Sequence, residues 1–93
     1  MQRKLRLTRS TDFKRVRHDG KSTAHPFLVL IALENQLSIT KVGVTAGRSV
    51  GNAVKRNRAK RLIRAALREL YPQITSGYDL IIIALAPIIQ VKM

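Results

Sequence analysis

The 93-residue chain contains no cysteine and no tryptophan, and only two phenylalanines and two tyrosines. Without thiols, disulfides and thiolate metal sites are excluded. With so few rings, the core has to be built from aliphatic side chains. No run of about 18 apolar residues occurs, which excludes a membrane-spanning helix in this sequence. The N-terminal stretch MQRKLRLTRSTDFKRVR is basic and lacks the apolar segment of a secretory signal. Asp12 counts against a transit peptide, so cytoplasmic residence is the expectation. The scarcest feature is negative charge: five acids stand against 18 lysines and arginines, a net charge of +13.

Such an imbalance repels itself in any compact fold unless a polyanion supplies the missing charge. The cations are also segregated. Eight lie before Ser22 and nine from Lys41 to Arg68, with none from Ser22 to Thr40. One basic face for nucleic acid follows from that distribution. Length and a hydrophobic content of 45% are those of one folded domain over residues 1–93 rather than a disordered tail.

Ser10, Thr11 and Asp12 offer capping side chains for a short helix over about 11–18, with Gly20 as a stop. Pro26 precedes the apolar run Phe27–Leu33, which is of strand length, and residues 34–36 read as a turn. Residues 39–46 alternate, with Val42, Val44 and Ala46 on one face, and the two runs are expected to pair as antiparallel neighbours. Gly47 and Gly51 bracket a loop, and Asn52 is placed to cap the helix that follows. On that helix Ala59, Leu62, Ile63, Ala66, Leu67 and Leu70 share one face. Asn57, Arg58, Lys60, Arg61, Arg64 and Arg68 occupy the other. Tyr71-Pro72 ends it, and Leu80–Ala86 reads as a buried strand broken by Pro87. The order α-β-β-α-β gives an α/β (α+β) protein whose three-stranded sheet needs a helix to cover it.

From Lys55 to Arg68 there are seven cations and no acid. Like charges at helical neighbours are mildly destabilising, so a helix that served only the fold would intersperse acids. Arginine predominates, and its planar fork suits phosphate oxygens. The helix follows a strand and a glycine loop, unlike the second helix of a helix-turn-helix, so DNA reading by that motif is disfavoured. The strands lack the aromatic motif of an RNA-recognition domain. Structured RNA met through its phosphates is the better fit. Gly43–Ser49 is one residue short of a P-loop and carries Arg48 where lysine is required. Nothing in the spacing joins His18 and His25 as an acid–base pair or metal site, and no catalytic residue is expected. Phe13 is either a core anchor or a ring that stacks on an unpaired base.

The block from Lys41-Val-Gly-Val through GNAVKRNRAKRLIR, residues 51–64, resembles the signature of the bacterial ribonuclease P protein subunit. Arg6-Leu7, Asp12-Phe13, Gly20 and Asp79–Ala84 are similar to that family's flanking patterns, so the likeness runs over nearly the whole chain. The resemblance implies a two-layer sandwich with a small mixed sheet and a left-handed βαβ crossover, the class of ribosomal protein S5 domain 2. It implies a 1:1 complex with a catalytic RNA that removes the 5′ leader of precursor tRNA with Mg²⁺, the metal being held mainly by RNA. Arg56, Asn57, Arg58, Lys60, Arg61 and Arg64 would face the RNA, with Arg68, Arg48 and Lys41 as further contacts. Phe13 would stand at the mouth of a leader cleft. Arg17, Ile31 and Leu85 depart from the family's pattern there, which shifts the binding from stacking toward phosphate contacts. The chain also stops where family members continue into a terminal helix. A ribosomal-type structural RNA-binding protein is the alternative, and a histidine nuclease the third reading.

Overall fold

A computed structural model describes residues 5–85. The elements are α1 (Ser10–Asp19), β1 (Lys21–His25), β2 (Leu28–Glu34), β3 (Lys41–Ala46), α2 (Ala53–Leu70) and β4 (Tyr78–Ala84). Single 3₁₀ turns at Arg48–Val50 and Tyr71–Gln73 flank α2. Pro87 and the question of a terminal helix lie outside the described residues.

The four strands form one mixed sheet in the order β1-β2-β4-β3. β2 runs antiparallel to both β1 and β4, and β3 runs parallel to β4. This corrects the expected pairing of β2 with β3. The reason is burial: β4 presents Leu80, Ile82 and Ala84 to one face and Ile81 and Ile83 to the other, so it has to be internal. β3 has Lys41, Gly43 and Thr45 on its second face and fits an edge. The sheet also gains a strand over the expected three. In β1, KSTAH, every residue is exposed, so no apolar alternation marks it.

The helices take opposite faces, which adds a layer to the expected two while leaving the mixed α+β class intact. α2 lays Ala59, Ile63 and Leu67 on Val42, Leu80, Ile82 and Ala84. Leu70, assigned to that apolar face, is instead 51% exposed past the sheet's end. Asn52 does cap the helix: its Oδ1 accepts the Lys55 N–H at 3.0 Å. Asn52→Ala should lower stability by about 1 kcal/mol. For a chain of this size that is a fall of roughly 5 °C in Tm, measurable by thermal denaturation.

α1 is capped by Arg9 without a side-chain bond, so Ser10, Thr11 and Asp12 fall in its first turn rather than before it. It crosses the other face along one row of the sheet, Gly43–Ile81–Ile31. Phe13 sits on Gly43, where an added Cβ would lie 2.5 Å from its ring. At the far end a Cβ on Gly20 would meet the Val16 carbonyl at 2.4 Å and the Ile31 side chain at 2.8 Å. Between them Val16 is fully buried with Leu7, Ile31 and Ile81. Two absent side chains thus set where α1 rests.

Candidate nucleic-acid interface

With the apolar stripe of α2 facing the sheet, its cations divide into two rows. Arg56, Lys60 and Arg64 recur every four residues and therefore climb one flank. That flank overhangs the outer edge of β3. Arg56, Asn57 and Lys60 line a groove of about 280 Å³ with Thr45, Ala46 and Ala53. Arg64 lines the continuation with Arg6, Leu7, Thr8, Val42 and Val44. At 100° per residue Arg58, Arg61 and Arg68 lie further around, and all three are exposed.

None of these side chains has, among the described residues, an acid to neutralise it. Among the described residues the ion pairs are Arg15 with Asp12, Arg15 with Asp79, and His18 with Asp19. The first turn of α2 holds no acid either. Cations at a helix N-terminus oppose the helix dipole, so Lys55 and Arg56 raise the cost of the unliganded state. An anion placed there would meet both the free N–H groups and the side chains.

On the face that α1 crosses, the next row toward the end of β3 is Thr45–Ile83–Val29. All three are half-buried, and Val29 and Ile83 pack against the cluster of Leu7, Val16, Ile31 and Ile81 from one row beyond it. On the other side of α1, Arg15 bonds the buried Asp79, whose second oxygen accepts from Asn35 Nδ2 at 2.9 Å. The bond to Asp79 pushes the Arg15 guanidinium above its ordinary pKa, burial opposing it. Arg17 lies about 200° around the helix from Arg15. It is exposed on the flank of α1 that borders this row. Among the described residues this leaves a shallow trough floored by Val29, Ile83 and Thr45, bounded by α1 and continuing over the β3 edge to the cations of α2.

The residues singled out from the sequence fall into place unevenly. Arg56, Asn57, Lys60 and Arg64 converge on the β3 edge, while Arg58, Arg61 and Arg68 form the outer row. Arg48 is exposed in the turn after β3, and Lys41 opens the same strand at its other end. Phe13 is half-buried on Gly43, at the side of the trough. Ile31 is only 8% exposed beneath α1, so it belongs to the core; Val29, one row along, occupies the floor instead. Leu85 donates its N–H to the Phe27 carbonyl at 2.9 Å, at the end of that floor. Sequence reasoning missed Arg6, which bridges to Val42 beside Arg64; its place in the N-terminal charge cluster was the available signal.

His18 and His25 are not brought together. His18 pairs with the adjacent Asp19, and His25 Nδ1 accepts the Phe27 N–H, with the length of β1 (about 13 Å) between them. No group of three side chains of the kinds that hold metals converges among the described residues.

A family model described as Ribonuclease P matches residues 1–93. The chain is 46% identical over 78 residues to the ribonuclease P protein component of Natranaerobius thermophilus, covering 84% of this chain and 68% of the relative. It is 43% identical over 86 residues to that of Herpetosiphon aurantiacus, covering 92% and 70%. Among solved structures, the RNase P protein of Staphylococcus aureus superposes with a TM-score of 0.83 at 29% identity, over 95% of this chain and 81% of that one. The RNase P protein of Thermotoga maritima gives 0.81 at 27% identity, over 91% and 77%.

Proposed function

The chain belongs to the ribonuclease P protein family, and on that footing we propose that it docks α2 on the catalytic RNA while the trough beside α1 holds the 5′ leader of precursor tRNA. A protein of this family is a subunit of an endoribonuclease, binds RNA, partners the ribonuclease P RNA and serves tRNA 5′ processing. The finer reading assigns the chain an accessory role in a 1:1 complex in the cytoplasm, with the hydrolysis performed by RNA.

The observation that carries it is the continuity of two surfaces. A row of cations without acids, Arg56–Lys60–Arg64, borders the same outer strand, β3, as the half-buried row of Val29, Ile83 and Thr45. Cations neutralise phosphates and release their counterions. The apolar floor, with Phe13 and Arg17 beside it, suits bases turned away from a single strand. A strand lying in the trough would therefore be held at both its backbone and its bases. The protein thus binds and orients the substrate near the RNA's reacting groups.

Magnesium ions supply the charge that activates water and stabilises the leaving oxygen in such hydrolyses. Among the described residues Asp12 and Asp79 are engaged by Arg15 and no third ligand converges on either, which does not fit a magnesium site. The reading leaves the metal to the RNA, and no step of the protein's work passes through it.

The test is cleavage of a 5′-extended precursor tRNA by a bacterial ribonuclease P RNA at low magnesium, with and without the chain. Restored cleavage is the expected outcome, and at saturating protein it should persist in the His18→Ala/His25→Ala variant. Salt-sensitive RNA binding without any restoration would instead support a structural RNA-binding role.

A further inference from the structure

The trough ends at the β1–β2 hairpin, whose two-residue tip is Pro26-Phe27. Phe27 is 39% exposed. The chain's other rings are committed: Phe13 lies on Gly43, and Tyr71 and Tyr78 pack against the core under α2. A single exposed ring is ordinary on a protein surface. What distinguishes this one is how firmly it is held and what it adjoins.

Pro26 fixes one backbone torsion of the turn. The Phe27 N–H donates to His25 Nδ1 at 3.2 Å, and its carbonyl accepts from Leu85 at 2.9 Å. The His25 ring lies 5.4 Å from the Phe27 ring, tilted by 47°. With Nδ1 accepting, the neutral imidazole carries its proton on Nε2, away from the tip. Across the sheet end, Gly47 donates to the Ala84 carbonyl at 3.1 Å, and Arg48 follows it. Phe27, Leu85 and the Gly47-Arg48 turn therefore succeed one another along the edge where the floor of Val29, Ile83 and Thr45 stops. A single strand following the floor leaves the protein between a preordered ring and an arginine.

We propose that Phe27, backed by His25, stacks on an unpaired base of the 5′ leader as it exits the trough, with Arg48 on the adjacent phosphate. This rests on the leader-holding reading above. The tip lies about 13 Å further along the sheet than the seat of Phe13 on Gly43, counted over the four residues from Gly43 to Gly47. The partner is single-stranded RNA because a base presents a flat face to the ring and a phosphate to the cation, whatever its sequence.

The experiment uses the complex of full chain and ribonuclease P RNA with precursor tRNAs of graded leader length. Affinity is read by titration, and stacking by 2-aminopurine placed at successive leader positions. Phe27→Leu should weaken binding about five- to fifty-fold, within the range of one lost stack, for leaders long enough to reach the tip. It should also remove the fluorescence quench at one leader position. Leu37→Ser, at the opposite end of the sheet, should do neither. Equal affinities for Phe27→Leu and the unaltered chain at every length, in a complex that processes precursor, would overturn the assignment of Phe27 alone. A loss that is the same for all leaders, or that appears in binding to the catalytic RNA by itself, would overturn it too. Failure of the unaltered chain to restore processing would remove the leader reading and this inference with it.

Discussion

Replacing Arg56, Lys60 and Arg64 together by glutamine is expected to weaken binding to ribonuclease P RNA by about a hundredfold or more at 0.1 M salt. Each lost charge-assisted contact to phosphate is worth roughly 1 kcal/mol at an exposed site, and tenfold corresponds to 1.4 kcal/mol. The slope of log affinity against log salt should fall by about two to three units, one for nearly every phosphate released. Glutamine keeps the helix propensity of the sites, so the fold is retained and the like-charge repulsion within α2 is relieved. The variant should therefore be at least as stable as the unaltered chain while binding far less RNA. That opposition of stability and binding separates a functional cation row from a solvated one. An unchanged slope in a filter-binding or titration series would mean that the β3 flank faces away from RNA. In that case Arg58, Arg61 and Arg68 on the outer row would be the next group to test.

Arg15→Ala should have the largest effect on folding, a loss of about 2–3 kcal/mol. Asp79 is only 4% exposed, and its two oxygens are shared between Arg15 and Asn35. Removing the arginine leaves one oxygen of a buried carboxylate without a partner, a change that typically costs about 3–5 kcal/mol. Arg15 is 40% exposed, so water can enter where it stood, and the expected loss falls at or just below the low end of that scale. The pair ties the start of β4 to α1, so its loss should also loosen the helix that bounds the trough. Arg15→Ala combined with Asp79→Leu removes both charges and should recover part of the stability. A double-mutant cycle in urea measures the coupling. Additive losses would show that Asp79 is held by its backbone surroundings rather than by Arg15.

The basic helix was legible because two independent signals coincide on it. Its apolar period and its cap at Asn52 describe the helix, and the absence of acids describes its partner. The apolar runs of β2 and β4 were legible as strands but not as neighbours. A strand that is apolar on both faces contains no mark of which edge meets which strand, and Leu28–Glu34 could pair with β3 on its sequence alone. β1 left no trace, since a wholly exposed edge strand needs no apolar residue. Ile31, expected at the cleft, lies in the core under α1. Val29 and Ile31 share a face of β2, and nothing in that strand says which of them α1 covers. Gly20 and Gly43 decide it, by letting the helix descend onto Ile31 and Phe13 onto the sheet. Read singly, one looked like a helix stop and the other like part of a phosphate loop. Their common purpose becomes visible only when the strands are in register.

The internal position of β4 has a consequence for the making of the protein. It is the last of these strands to leave the ribosome, yet β2 and β3 both depend on it for their hydrogen bonds. At about 5–20 residues per second, several seconds of synthesis separate the start of β2 from the end of β4. During that interval the nascent chain can close the β1–β2 hairpin but cannot seat α2, whose apolar stripe rests partly on Leu80, Ile82 and Ala84. The cations of α2 thus emerge before the sheet that holds them, among the ribosome's own phosphates. A chain stalled short of residue 78 would carry a polycationic segment with no fold behind it. Completion of the centre strand converts that segment from an indiscriminate polycation into one of fixed shape.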